Sequence, residues 1–131
     1  MNSVKKTIII NKPAFEVFNF TTNPDNTPRW VDGVVKEEAS ENPVKLGTIY
    51  RSQDQSGGWC EFEITAFEDG FMFEMTKKDD NHHVVYIFKP FEPDKCELDY
   101  RVWVKEGAVS ERFSETNIET ILQKLKVVVE S

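Results

Sequence analysis

The sequence predicts an α+β fold in which one antiparallel sheet is covered on one face by a long helix. Three observations carry this prediction. Hydrophobic residues alternate with polar ones over most of residues 34–105, which is the period of strands. Turn-forming pairs such as Asp69-Gly70 separate the alternating runs, as in hairpins. The period then lengthens to that of an amphipathic helix near the end of the chain.

The first elements are one strand and two short helices. Val4 to Ile10 is rich in β-branched residues and stops at Asn-Lys-Pro, which predicts a first strand. Pro13 suits the first turn of a helix, and the apolar run to Thr21 predicts a short one. After a break at residues 22–28, Arg29, Trp30 and Val31 predict a second helical turn.

Six strands joined by hairpins follow. In the third of these, alternation places Cys60, Phe62, Ile64 and Ala66 on one face. In the fifth, Val85 and Ile87 compete with Val84, Tyr86 and Phe88 for the inner face, so its phase stays open. The predicted strands are 34–39, 47–53, 60–66, 71–76, 83–91 and 96–105.

The chain ends in a predicted amphipathic helix. Its apolar face carries Ile118, Ile121, Leu122 and Leu125 at helical spacing. Its start is open between about residues 109 and 117, because either Ser110 or Thr116 could be the N-cap. Thr116 and Glu119 fit the spacing of a capping box.

Size, charge and cysteine content narrow the class of protein. The 131 residues fit a single domain over 1–131. The net charge of −7 argues against nucleic acid as a partner. Cys60 and Cys96 are too few for a disulfide scaffold, and neither belongs to a CxxC pair, so we expect reduced thiols in a cytoplasmic protein. No run approaches the roughly 18 apolar residues of a spanning helix, so no stable membrane insertion is expected.

Several segments resemble the START-like (SRPBCC) superfamily, in its polyketide cyclase/dehydrase-type branch. They are the strand ending Ile10-Asn11-Lys12-Pro13-Ala14 with Val17-Phe18, the stretch from Asn23-Pro24 to Trp30, and residues 45–50, 61–68 and 122–126. The resemblance covers essentially the whole chain. It implies a helix-grip fold: a seven-stranded, curved antiparallel sheet wrapped around the C-terminal helix, with two short helices after the first strand.

The resemblance also implies an apolar cavity between sheet and helix, and a small hydrophobic ligand of lipid, isoprenoid or polyketide type. The inward phase of the strands and the expected mouth at Trp30 give most of the candidate ligand-binding residues. Phe113 and Asn117 are added because they would face the cavity if the last helix begins early, although Asn117 could instead cap that helix. Each could equally be solid core, and the tyrosines could bond to backbone instead. The candidates are Trp30, Tyr50, Phe62, Phe73, Met75, Tyr86, Phe88, Tyr100, Phe113 and Asn117.

No catalytic constellation stands out. Adjacent His82 and His83 point to opposite faces of a strand, so they cannot share a metal ion. We therefore expect no metal, no cofactor and an uncertain catalytic role. Two alternatives to ligand binding remain: a cyclase or dehydratase acting in the same cavity, and a co-chaperone-like interaction module with an exposed apolar patch. The protein is expected to be a monomer or a homodimer.

Overall fold

A computed structural model describes residues 2–131 and contains the predicted elements in the predicted order. The strands are β1 (Ser3–Ile10), β2 (Val34–Ala39), β3 (Ile49–Asp54), β4 (Trp59–Glu68), β5 (Met72–Lys77), β6 (His83–Glu92) and β7 (Lys95–Trp103). The helices are α1 (Ala14–Thr22), α2 (Thr27–Trp30) and α3 (Glu115–Glu130), and single 3₁₀ turns cover Pro24–Asn26 and Glu111–Phe113.

The seven strands form one curled antiparallel sheet in the order β1-β7-β6-β5-β4-β3-β2. Six hairpin-linked strands follow one another in space, and β1 closes the far edge against β7. The helix α3 packs on the inner face, where Ile118, Leu122 and Leu125 are buried. This is the helix-grip architecture that the resemblance implied, and the expectation is confirmed.

The open phase of β6 is settled by burial. Val84, Tyr86 and Phe88 are buried, whereas Val85 and Ile87 are only partly covered on the outer face. In β4 the prediction for Ala66 is wrong. A β-bulge between Ile64 and Ala66 shifts the alternation, so that Phe67 pairs with Phe73 and packs its ring against Phe18.

Two boundaries also differ from the sequence prediction. The N-cap of α3 is Ser114, whose Oγ accepts the amide of Asn117 at 3.2 Å, so the Thr116–Glu119 capping box is wrong. Ser110 instead begins the 3₁₀ turn at 111–113. Phe71, the first residue of the predicted strand 71–76, instead precedes β5 and is 54% exposed, because the Asp69-Gly70 turn ends only after it.

Candidate functional site

A cavity lies between the curled sheet, α2 and α3. The cavity has a volume of about 70 Å³, which is room for a few water molecules or one small ring. Its walls come from α1, α2, α3, the six strands β2 to β7 and the turn at 111–113. The lining residues are Thr21, Thr27, Trp30, Val31, Val34, Glu37, Tyr50, Ser52, Phe62, Phe73, Met75, Val84, Tyr86, Tyr100, Arg112, Phe113 and Ile121.

Aromatic rings form most of the wall. Phe73 and Tyr86, which are cross-strand partners, stack with ring centroids 4.4 Å apart, and Tyr100 meets Tyr86 edge-on at 5.1 Å. Such contacts add stability beyond the apolar area that they bury. Phe73, Tyr86 and Tyr100 therefore form one packed aromatic cluster in the cavity wall.

Eight of the ten candidate residues line the cavity, and two do not. Phe88 is buried behind the wall, where it packs against Phe73 and edge-on against Phe18 at 5.3 Å. The alternation placed it on the correct face but could not give its depth. Asn117 is exposed, and its Nδ2 donates to the carbonyl oxygen of Glu111 at 2.9 Å. It therefore supports the start of α3 instead of facing the cavity.

All three candidate tyrosines are buried. Tyr50 donates its hydroxyl to the carbonyl oxygen of Thr22 at 2.6 Å, which is the backbone-bonded alternative. Burial raises the pKa of Tyr50, Tyr86 and Tyr100 above the ordinary phenol value. All three are therefore neutral near pH 7, and each can act only as a neutral hydrogen-bonding group.

One carboxyl group, that of Glu37, lies in the cavity wall. Thr27 Oγ1 donates to its Oε1 at 2.5 Å, and Ser52 Oγ donates to its Oε2 at 2.6 Å. Burial raises the pKa of Glu37, while these two hydrogen bonds act in the opposite direction. A titratable group in a cavity with a perturbed pKa is a typical mark of a functional site.

Sequence reasoning missed Glu37 because of a second β-bulge. The register of β2 against β3 shifts between Val34 and Lys36, so Val35 turns outward and Glu37 turns inward. Strict alternation from Val34 would put Glu37 on the outer face. Bulges often re-aim side chains next to active sites, but β2 has no glycine or proline that would reveal this one.

Trp30 lies at the end of α2 and is only 2% exposed. Its indole Nε1 has no hydrogen-bond partner among residues 2–131. A buried donor without a partner is uncommon, because losing its hydrogen bond to water carries a cost of about 1–3 kcal/mol.

The turn at residues 111–113 forms the rim of the cavity. Phe113 is buried and stacks on the imidazole of His82 at 5.3 Å, and the Nε2 of His82 accepts the amide of Ser110 at 3.1 Å. Arg112, beside it, is exposed. One histidine therefore supports both the ring and the backbone of this rim.

A second apolar surface lies at the opposite end of β6, near α1. Phe15, Phe71 and Phe91 are 54–60% exposed there, around a groove shared with Pro13 and Pro93. This surface is called the aromatic patch below. Exposed apolar patches of this kind are typical of binding surfaces.

Residues 2–131, the described part of the chain, contain neither a candidate metal site nor a candidate membrane-spanning helix. No group of three or more His, Cys, Asp or Glu side chains there could hold a metal ion. No helix there is long and apolar enough to cross a bilayer.

Known proteins resemble the chain in sequence pattern and in fold. The family model described as polyketide cyclase / dehydrase and lipid transport matches residues 1–130. No curated protein matches the sequence.

Solved structures share the fold at low sequence identity. A Chromobacterium violaceum protein has a TM-score of 0.76 at 16% identity, with 100% of this chain and 99% of that one covered. A START superfamily protein from Mycobacterium smegmatis has a TM-score of 0.72 at 15% identity, covering 99% and 95%. The Aha1 dimer from Colwellia psychrerythraea has 0.74 at 14%, covering 99% and 97%.

Proposed function

Because the chain belongs to the polyketide cyclase / dehydrase and lipid transport family, we propose that it binds a small hydrophobic molecule in the cavity between the sheet and α3. The observation that carries the proposal is the void itself. Protein interiors are packed to crystal-like density, yet seven aromatic side chains surround unfilled space at the centre of this fold. An apolar void with a few polar groups in its wall is the usual form of a small-molecule site.

The size of the cavity limits what can enter without rearrangement. A cavity of about 70 Å³ admits one ring or a short chain, but not a long lipid. A larger ligand would have to displace the rim at Arg112 and Phe113. Binding of a single-ring compound is therefore the most direct test of the proposal.

The test is titration with apolar probes of increasing size, beginning with benzene and indole, by calorimetry and protein-observed NMR. Ile121→Trp should fill the cavity from α3 and weaken probe binding by tenfold or more. Val127→Trp, on the 67% exposed position of the same helix, is the matched control and should bind as the wild type does. Absence of binding to the folded wild type would refute the proposal.

A second candidate function is an enzyme of the cyclase or dehydratase type, and Glu37 is the observation that favours it. A cavity carboxyl with a raised pKa can act as a general acid or base. Incubation with short β-hydroxyacyl thioesters, followed by mass spectrometry for loss of water as the α-proton and the β-hydroxyl group leave, tests this. Glu37→Gln should abolish the reaction, and the exposed neighbour variant Glu38→Gln should leave it unchanged.

The aromatic patch favours a third candidate function, that of a co-chaperone-like interaction module. The two surfaces can be separated by mutation because they lie apart. Phe71→Ser at the patch should leave probe binding in the cavity unchanged. Should Phe71→Ser impair function in the source cell while Ile121→Trp does not, the interaction module would replace ligand binding as the better account.

A further inference from the structure

We infer that the ligand of this cavity carries a small cationic head, a protonated amine, which lies against Glu37 while its apolar body fills the aromatic part. This inference rests on the proposed function and names the chemical class of its ligand. Three features of the cavity support the inference. They are the hydrogen bonds of Glu37, the absence of a counter-charge for its carboxylate, and the aromatic rings of the cavity wall.

The hydrogen bonds indicate an ionised carboxylate. Thr27 and Ser52 each donate a hydroxyl to a different oxygen of Glu37, at 2.5 and 2.6 Å. Distances of 2.5–2.7 Å are typical of O–H···O⁻ bonds. A carboxylate has about four acceptor sites, and these two hydroxyls occupy one on each oxygen. The carboxylate can therefore accept further donors from the side of the cavity.

No protein cation neutralises this carboxylate. Within residues 2–131, Glu37 forms no ion pair with a lysine, arginine or histidine nitrogen, whereas the buried carboxylate of Asp99 lies within 4 Å of Lys5, Lys89 and Arg101. Arg112 is the basic residue of the cavity wall, and it lies exposed at the rim. A partly buried carboxylate without a counter-ion is costly. A ligand ammonium would supply the missing charge.

The aromatic rings that share the cavity with Glu37 suit a cation. Trp30, Tyr50, Tyr86 and Tyr100 all line the same cavity. The faces of tryptophan and tyrosine rings attract ammonium groups, and a desolvated site strengthens the attraction. Phe62, Phe73 and Met75 leave an apolar wall for the body of the ligand. An anionic ligand of the same shape would be repelled by Glu37.

The experiment compares four ligands of matched shape: benzylamine, benzyl alcohol, ethylbenzene and phenylacetate, titrated at pH 7 into the full chain. Benzylamine should bind at least tenfold tighter than ethylbenzene, about 1.4 kcal/mol. It should also exceed benzyl alcohol, and phenylacetate should bind weakest. If benzyl alcohol or ethylbenzene equals or exceeds benzylamine, the inference is overturned while the proposed function stands. If no ligand binds, the proposed function fails and the inference fails with it.

Variants locate the effect. Glu37→Gln should lower benzylamine affinity to that of ethylbenzene and leave ethylbenzene binding unchanged. Glu38→Gln, on the opposite face of β2, is the matched control and should retain the preference for the amine. A preference that survives in folded Glu37→Gln overturns the inference. Should Glu37→Gln fail to fold, the four-ligand series on the wild type still decides it.

Discussion

Tyr50 in β3 donates its hydroxyl to the carbonyl oxygen of Thr22, the last residue of α1, over 2.6 Å. The bond joins the sheet to the short helix that borders the cavity. Because the hydroxyl group of Tyr50 donates to this carbonyl oxygen, the residue contributes its ring, and not its hydroxyl, to the cavity wall.

Tyr50→Phe should therefore lower the free energy of unfolding while leaving the cavity intact. Removing the hydroxyl group leaves the Thr22 carbonyl oxygen without this donor, and the expected loss of unfolding free energy is about 1–2 kcal/mol. Urea denaturation measures it, and probe affinity should stay within about twofold of the wild type. A loss below about 0.5 kcal/mol would show that this hydrogen bond contributes little in solution.

Element order and the inner face of the sheet follow from the sequence because both depend on local periodicity. Phe62, Phe73 and Tyr100 could be placed inside from alternation alone, since each belongs to a regular stretch of strand. Ala66 could not, because the bulge after Ile64 breaks the alternation. The cap of α3 was missed because Ser110, Ser114 and Thr116 all precede its first buried residue, and only the backbone geometry distinguishes Ser114.

The cavity wall was predictable where the side chain is apolar and unpredictable where it is charged. Glu37 lies in a short, highly charged strand that reads as solvated, and only the bulge turns it inward. Phe88 has the correct phase, but its depth depends on how α1 packs Phe18 over it. Such placements depend on tertiary packing, which a single sequence does not encode in any local pattern.

The pH dependence of stability should reveal Glu37. Burial raises its folded pKa above the ordinary value of 4.5. Between those two pKa values the folded state binds more protons than the unfolded state, so its contribution to stability falls as pH rises. Glu37→Gln removes this contribution. The stability of the variant relative to the wild type should therefore increase from pH 4.5 to 7.5 in urea denaturation.

The control for this measurement is Glu38→Gln, on the outer face of the same strand. Its stability difference from the wild type should be nearly constant over the same range. If the stability of Glu37→Gln instead falls relative to the wild type as the pH rises, the carboxyl is stabilised, not destabilised, by its surroundings.

The packing of α3 on the sheet can be tested at Leu125, which is fully buried. Leu125→Ala should lower the free energy of unfolding by about 2–5 kcal/mol, through lost apolar burial and the cavity left behind. Val127→Ala, on the exposed side of the helix, should change it by less than about 0.5 kcal/mol. Equal effects at the two positions would contradict the packing of α3 described above.

The two free cysteines should differ sharply in reactivity. Cys60 in β4 is partly exposed and lines a groove at the cavity rim with Lys77 and Arg112. Cys96 in β7 is fully buried, and burial raises the pKa of its thiol to about 11. Because the thiolate is the reactive form, an aromatic disulfide reagent should modify Cys60 quickly in the native protein. Cys96 should react only as fast as the protein unfolds.

In concentrated denaturant without reductant, the same reagent should count two thiols. The strands β5 and β6 separate β4 from β7 by three strand spacings, about 14 Å, and the register places the two cysteines toward opposite ends of these strands, so they lie farther apart than that. A disulfide needs Cα atoms within about 7 Å, so the two cannot be bridged in this fold. Cys60→Ser should remove the fast phase and leave the slow one. A count of zero thiols, or two equal rates in the native protein, would contradict the strand order.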